Sequence, residues 1–393
     1  MNILFYRYGS ICEEDILKCF AESGHNCKTI EDEIADKSIT GADTLKLVDN
    51  ALTNGSYDCV FTINFFPAIS DLCNVYHIRY ISWIVDSPVL ELFSASISNS
   101  WNRVFVFDRS QYEDIKTLNP GCIFHYPLAV DTKSKQEVIA AAKHDAGLER
   151  FRCDISFVGS LYSEKDPMKS LSDEPEYLRG YLEGLCEAQL RVYGYYFIPE
   201  LLTDNVINDF KSRVPDYYTM KSDNHLTDRI VIGQYYLGNH ITAMERQRLI
   251  AYIAERFPID VYTRSDTRRI IKANCRGGCK TLTEMPLIFN ESRININPTS
   301  KAIRSGVPLR VFDIFACEGF MISNFQPEMC ELFVPGEDFI FYDSIEQIPE
   351  FIDYYLNHEK ERTEIAYNAY TKVREEYSYL KRLNGLLLRA FEC

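Results

Sequence analysis

The chain has 393 residues, 46% hydrophobic, 25% charged and 13% aromatic, which excludes a disordered, collagen-like or coiled-coil protein and leaves a globular chain long enough for two domains. Lys plus Arg number 42 against 57 Asp plus Glu, a formal charge of −15, so a general nucleic-acid or anionic-membrane binder is excluded as well. No apolar run approaches the ~20 residues that span a bilayer, and MNILFYRYGS lacks the layout of a signal peptide, so no transmembrane segment and a cytoplasmic location are expected.

In chain order, the first 130 residues alternate short β-rich runs with helical stretches, the pattern of parallel βαβ units. Strands are predicted at Asn2–Tyr6, Cys27–Ile30, Cys59–Ile63, Arg79–Val85, Arg103–Phe107 and Cys122–Tyr126. Helices are predicted at Glu13–Ser23, Asp43–Ala51, Pro67–Tyr76 and Gln111–Leu118, the last with Ser110 as N-cap. The strand runs are continuously apolar rather than alternating, which means strands covered on both faces.

Residues 131–152 are charged, carry no strand signal and read as a hinge region between residues 1–130 and 153–374. The second half opens with a strand at Asp154–Val158, followed at once by Gly159 and Ser160. It resumes with strands at Ile259–Tyr262, Arg293–Asn297, Gly319–Ser323 and Asp338–Tyr342, and helices at Glu284–Asn290, Pro308–Cys317, Ile345–Asn357 and Glu361–Tyr370. The connection from Val158 to Ile259 far exceeds a ~30-residue βαβ unit, so residues 162–250 are expected to hold a helical insertion that recognises an acceptor or mediates dimerisation. Residues 375–393 are expected to form a helix returning to the first domain. The fold class is α/β: two doubly wound Rossmann-like domains with a ligand cleft between them and an insertion in the second.

The thirteen cysteines show no repeating spacing and read as reduced thiols; Cys275 and Cys279 have no second Cys/His pair at zinc-ligand spacing, so no structural metal is expected. The chemistry concentrates in Ser292–Asp343. Asn297 and Pro298 end a buried strand, a loop carries Lys301, Arg304, Ser305 and Gly306, and Pro308 is expected in the first turn of a helix. Free N–H groups, the helix dipole and Arg304 or Arg310 suit a diphosphate, and Asp313, three residues after Arg310, suits a ribose diol. The plainer reading of Arg310 and Asp313 is a surface ion pair on an amphipathic helix. In the first half, Asp86 follows a buried strand in SWIVDSP and is the candidate general base, its alternative role being to cap the next helix. Gly9, Ser10 and Asn64 end neighbouring strands and are candidates for acceptor contact. No Asp-x-Asp occurs, so no catalytic metal is expected, and no cofactor is expected.

The stretch RVFDIFACEGFMISNFQPEMCELFVPGEDFIFYD resembles the C-terminal signature of the CgeB-type branch of GT-B glycosyltransferases. TINFFPAISDLC, YISWIVDSP, VFVFDRSQYE, YPLAVD and DISFVGSLY resemble the accessory, DUF3880-like N-terminal domain paired with it, so the resemblance spans essentially the whole chain. It implies that Asp313 holds the nucleotide ribose, that Arg310, Arg304 and the Ser305–Gly306 backbone hold the diphosphate, and that Gly159 and Ser160 form a glycine loop. It places loop 277–282 beside the base, with Thr281 and Glu284 forming a capping box. Cys317-Glu318-Gly319 replaces the family's Cys-Gly-Gly, making Glu318 either a turn substitution or a change of specificity. The function implied is metal-independent transfer of a sugar from a nucleotide-diphosphate donor, UDP by default, to a bacterial flagellin-like or spore-surface protein or a polysaccharide. The alternatives are a nucleotide-sugar epimerase on the same fold and a non-catalytic surface or spore assembly module.

Overall fold

Continuous apolar runs build two six-stranded sheets in which every strand pair is parallel. The structure is a computed structural model and describes all residues except 172, 173, 221, 222 and 393. The first sheet holds β1 (Asn2–Tyr6), β2 (Asn26–Ile30), β3 (Cys59–Ile63), β4 (Arg79–Ile84), β5 (Asn102–Val106) and β6 (Ile123–His125), in the order β2-β1-β3-β4-β5-β6. Every residue of β3 and β5 is buried, as expected of strands sandwiched between helices. The second sheet holds β7 (Cys153–Val158), β8 (Asp260–Tyr262), β9 (Asn274–Gly277), β10 (Ser292–Asn297), β11 (Met321–Asn324) and β12 (Ile340–Tyr342), in the order β12-β11-β10-β7-β8-β9. Both sheets are therefore doubly wound, with strand order reversing between β1 and β3 in one and between β7 and β10 in the other.

The chain divides into two compact units: unit 1 is Met1–Asp131, Met220–Leu226 and Glu376–Cys393, and unit 2 is Thr132–Thr219 and Thr227–Glu375. Two predicted boundaries differ. Residues 131–152 are not a hinge: Thr132–Ala142 is a helix of unit 2 that buries Ile139 and donates Gln136 Nε2 to the Ala316 carbonyl at 2.9 Å. The insertion is helical as expected, with helices at Glu176–Leu190, Asp204–Arg213 and Gly238–Ala254, yet its segment 220–226 belongs to unit 1. There Ala95 N donates to the Asp223 carbonyl at 2.9 Å and His225 N to the Phe93 carbonyl at 2.7 Å. The C-terminal helix, Tyr379–Glu392, lies in unit 1.

Strand β9 was not predicted, because NCRG is an edge strand with all four residues exposed and so carries no apolar signal. The helix predicted from Asp43 starts at Gly41, because Thr40 and Asp43 form a capping box. The helix after β5 starts at Arg109 with Asp108 as N-cap; the side chain of Asp108 accepts from Ser110 N, so Ser110 is capped and is not itself the cap.

In unit 2 the helix Gly238–Ala254 is the crossover from β7 to β8. Its Leu249, Ile250 and Ile253 are fully buried in one cluster with Ile155, Phe157 and Val261 of the strands. Burying each such side chain is worth about 1.5–3 kcal/mol, enough to fix the helix against the sheet. That anchoring sets where the preceding turn, with Glu245 and Arg246, comes to lie.

Candidate functional site

Open α/β sheets bind ligands beyond the carboxyl ends of their strands, where strand order reverses. In unit 2 that point lies between β7 and β10, whose ends lead into Gly159–Ser160 and Asn297–Pro298. Arg246 spans these two loops. Its Nε and Nη2 donate to the Pro298 carbonyl at 3.1 and 2.9 Å, its Nη1 donates to the Ser160 carbonyl at 2.7 Å, and its guanidinium lies 4.6 Å over the Tyr162 ring. Burial lowers its pKa, Tyr162 and Glu245 oppose that, and Arg310 adds to it through like-charge repulsion.

Arg310 stands in the helix Leu309–Ala316 with its guanidinium 5.3 Å over the Phe289 ring and Nη1 against Met285 Sδ. Arg264 follows the end of β8 and packs across Gly278, where a Cβ would come within 2.7 Å of its Cγ. Arg310 and Arg264 both act on the Cys279 thiol, lowering a pKa that burial raises and Glu284 raises further. None of Arg246, Arg264 and Arg310 forms an ion pair with a described carboxylate. Arg310 repels the buried Arg246 guanidinium, and an anion bound at this sheet edge would relieve that like-charge repulsion.

One other cation of the region is neutralised internally. Lys301, expected on the basic loop, turns inward: its Nζ is 3.4 Å from Glu245 Oε1 and 3.5 Å above the Tyr193 ring, and both charged side chains are at most 6% exposed. Burial lowers the Lys301 pKa against the opposing pull of Glu245. Arg304 is half-buried beside Tyr196, Phe325 and Gln326. Ser305 is buried and donates to Glu328 Oε1 at 2.7 Å; Gly306 beside it is buried too. Asn297 commits its amide to Thr299 Oγ1 at 3.2 Å and Ser323 Oγ at 3.0 Å, so its side chain holds the strand ends in register. Ser160 Oγ donates to Glu164 at 2.6 Å.

Pro308 is the N-cap of the helix Leu309–Ala316 rather than part of its first turn, and supplies no side-chain acceptor to the first N–H groups. The surface-pair reading of Arg310 and Asp313 does not hold: Asp313 is 8% exposed and Arg310 makes no ion pair with it. The helix is buried almost all round, from Val311 to Ala316, so amphipathic spacing misplaced Asp313. Asp313 lies near Cys317 together with Lys135 and Arg310; burial raises that thiol's pKa, Asp313 adds to it, and the two cations lower it. The capping box of Thr281 and Glu284 is not formed. Glu284 itself is the N-cap of Met285–Glu291, and its carboxylate accepts from Lys280 N at 2.9 Å and from Arg150 at 3.1 Å. Thr281 remains half-buried in the loop after β9.

Glu318 is exposed and sits at φ 55°, just past the C-terminus of the helix Leu309–Ala316, where Gly319 N closes on the Ile314 carbonyl at 3.0 Å. It adjoins Asn290, Ser292 and Arg293 at the amino end of β10, the opposite end of the strand from Asn297. Glu318 is therefore a turn substitution.

The corresponding switch point of unit 1 is occupied by the chain's own charge. Glu13 is fully buried and accepts from Tyr8 N at 3.1 Å and Gly9 N at 3.0 Å, and Arg7 is surrounded by Glu13, Glu14 and Glu31. The Gly9–Ser10 loop thus has its anion position filled by a carboxylate. Beside it Asn64 joins three strand ends, donating from Nδ2 to Tyr8 Oη at 2.9 Å and to Asp86 Oδ2 at 2.7 Å. Asp86 is exposed and does not cap the next helix, whose N-cap is Val89.

Sequence reasoning missed Arg246 and Arg264. Arg246 falls within the long helical insertion, where an arginine has no motif to mark it, and Arg264 precedes an edge strand that was not foreseen.

Residues 246–387 match the family described as glycosyl transferase-like. No curated protein matches the sequence. Among solved structures, Alr3699/HepE of Anabaena in complex with UDP and glucose is 10% identical, covers all of both chains and superposes with a TM-score of 0.53. A glycosyltransferase from Rickettsia africae ESF-5 is 13% identical over 100% of this chain and 98% of its own, TM-score 0.53. Sucrose-phosphate synthase (tll1590) from Thermosynechococcus elongatus is 10% identical over 99% and 98%, TM-score 0.54. The chain carries a glycosyltransferase-like domain, and its two parallel sheets form the GT-B fold. No described helix is long and apolar enough to cross a membrane.

Proposed function

We propose that the protein transfers a sugar from a nucleotide-diphosphate donor, with UDP as the nucleotide, to a hydroxyl of a bacterial protein or polysaccharide, and that it does so without a metal ion. The observation that carries this reading is the group Arg246, Arg264 and Arg310 at the carboxyl edge of the second sheet, none of which forms an ion pair with a described carboxylate. Unit 1 offers no equivalent, because Glu13 fills its glycine loop. The donor is therefore assigned to unit 2 and the acceptor to unit 1. The UDP complex of the Anabaena structure supports the nucleotide. The family resemblance to CgeB-type enzymes supports the acceptor class.

In unit 2, the arginines and the first N–H groups of Leu309–Ala316 hold the diphosphate, with Gly159, Ser160 and Gly306 giving backbone access and Asp313 receiving the ribose. In unit 1, Asp86 takes the acceptor proton. The acceptor O–H bond breaks with its proton passing to Asp86 Oδ1. The oxygen forms a bond to the anomeric carbon, and the bond from that carbon to the β-phosphate oxygen breaks with its electron pair leaving on UDP.

A thermal-shift series with UDP, GDP and inorganic pyrophosphate, with and without EDTA, tests the assignment. A native-state ligand at 100 times its Kd adds about 2.7 kcal/mol of stability. UDP is expected to raise the melting temperature equally with and without chelator, and Arg310→Ala to abolish the rise. A response that EDTA removes overturns the metal-free reading, and no response to any nucleotide overturns the donor assignment.

A further inference from the structure

We infer that Asn64 is a positioning residue that aims the carboxylate of Asp86, leaving Oδ1 as the single oxygen free to take a proton. The inference rests on the reading of Asp86 as the base. Asn64 directly follows β3 and adopts φ 58°, a left-handed conformation that asparagine tolerates better than most side chains. All of its polar groups are engaged. Its N–H donates to the Trp83 carbonyl at 2.9 Å, and its carbonyl accepts from Thr62 Oγ1 at 2.6 Å and Ser82 Oγ at 2.8 Å.

Its side chain faces the loop after β4. Oδ1 accepts from Val85 N at 3.0 Å and Asp86 N at 3.4 Å, while Nδ2 donates to Asp86 Oδ2 at 2.7 Å. One amide thus grips both the backbone and the side chain of Asp86. Asp86 Oδ1 accepts no hydrogen bond from any described residue, and the side chain is exposed. The same Nδ2 also donates to Tyr8 Oη at 2.9 Å, linking the carboxylate to the end of β1.

The titratable groups facing this carboxylate are Tyr8 and Cys12 from the segment after β1, with Glu13 and Lys37 behind Tyr8. Burial raises the pKa of both Tyr8 and Cys12, the latter to about 12, so each stays protonated near neutrality and neither competes as a base.

A group held in place by two contacts loses its alignment when they are removed, and misplacement of a base by about 1 Å costs on the order of 10²-fold in rate. The test uses the full chain and follows UDP release from UDP-glucose with water as acceptor, across pH. Asn64→Gly keeps the left-handed backbone and removes the amide; kcat is expected to fall at least about tenfold with KM for UDP-glucose within about twofold. Asn64→Asp keeps the shape but sets a second carboxylate against Asp86, so the acid limb of the kcat profile is expected to move up by about one pH unit. Both variants are expected to keep the wild-type thermal shift with UDP, which shows that they are folded.

Asp86→Asn separates the two ideas. If Asp86→Asn retains wild-type UDP release, the base reading fails and the positioning role with it. If Asp86→Asn is inactive while both Asn64 variants keep wild-type kcat and pH profile, only the positioning role fails. Recovery of kcat in Asn64→Asp with an unmoved acid limb also overturns it, since shape alone would then suffice. A wild type that releases no UDP overturns both.

Discussion

Arg246 and Pro298 are joined by two hydrogen bonds to one carbonyl oxygen, from Nε at 3.1 Å and Nη2 at 2.9 Å. With the third bond, to Ser160, this makes Arg246 the strut between the two loops at the switch point of the second sheet. Arg246→Met removes three charge-assisted bonds and is expected to cost ~2–4 kcal/mol in urea unfolding. Arg246→Lys restores a charge but not the planar fork, and is expected to recover less than half of the UDP thermal shift. A full recovery by lysine would reduce the role of Arg246 to charge alone.

Lys301 and Glu245 form a buried pair, and breaking such a pair from one side leaves an isolated charge in the interior. Lys301→Met alone is expected to lose ~3–5 kcal/mol of stability. The double variant Glu245→Leu with Lys301→Met is expected to regain most of it, because the stranded carboxylate is gone. Because the folded-state pKa of Lys301 is lowered, the unfolded chain binds the extra proton between that value and 10.5, so its contribution turns more favourable as pH rises through that window. Stability curves of the wild type and Lys301→Met at pH 8 and pH 10 check the sign.

Glu318 carries a side chain at φ 55°, a conformation costing ~1–2 kcal/mol for a residue with a Cβ. Glu318→Gly is expected to stabilise the protein by about 1 kcal/mol and to leave the UDP response unchanged. Loss of the UDP response in that variant would return Glu318 to the binding site.

Asp313 is the assigned ribose contact. Asp313→Asn is expected to raise the Kd for UDP about tenfold, equivalent to ~1.4 kcal/mol, and to leave that for inorganic pyrophosphate within about twofold. Calorimetry with the two ligands separates them. Equal weakening of both would mean that Asp313 acts by holding the helix rather than the nucleotide.

Much of the architecture was legible as sequence. Runs such as NILFY, CVFTI and RYISWI are apolar without alternation, which only strands covered on both faces require, and β1 and β3 lie where predicted. The site was legible in part. Gly159–Ser160 and Asn297–Pro298 follow strands that proved to be neighbours where strand order reverses. The roles of Lys301 and Asn297 were not legible, because both side chains turn toward partners far away in the chain or across the sheet.

What the sequence determined by itself is the pair of doubly wound sheets and the loops Gly159–Ser160 and Asn297–Pro298 that follow two of their strands. Those follow from local signals: apolar run length and the turn residues that end each run. Only the tertiary structure decided which cations are held in ion pairs. Arg7 is paired with Glu13, Glu14 and Glu31, and Lys301 with Glu245, whereas Arg246, Arg264 and Arg310 form no ion pair with a described carboxylate. The physical reason is that charge compensation acts over a few ångströms in space, and the chain brings those partners together only by folding.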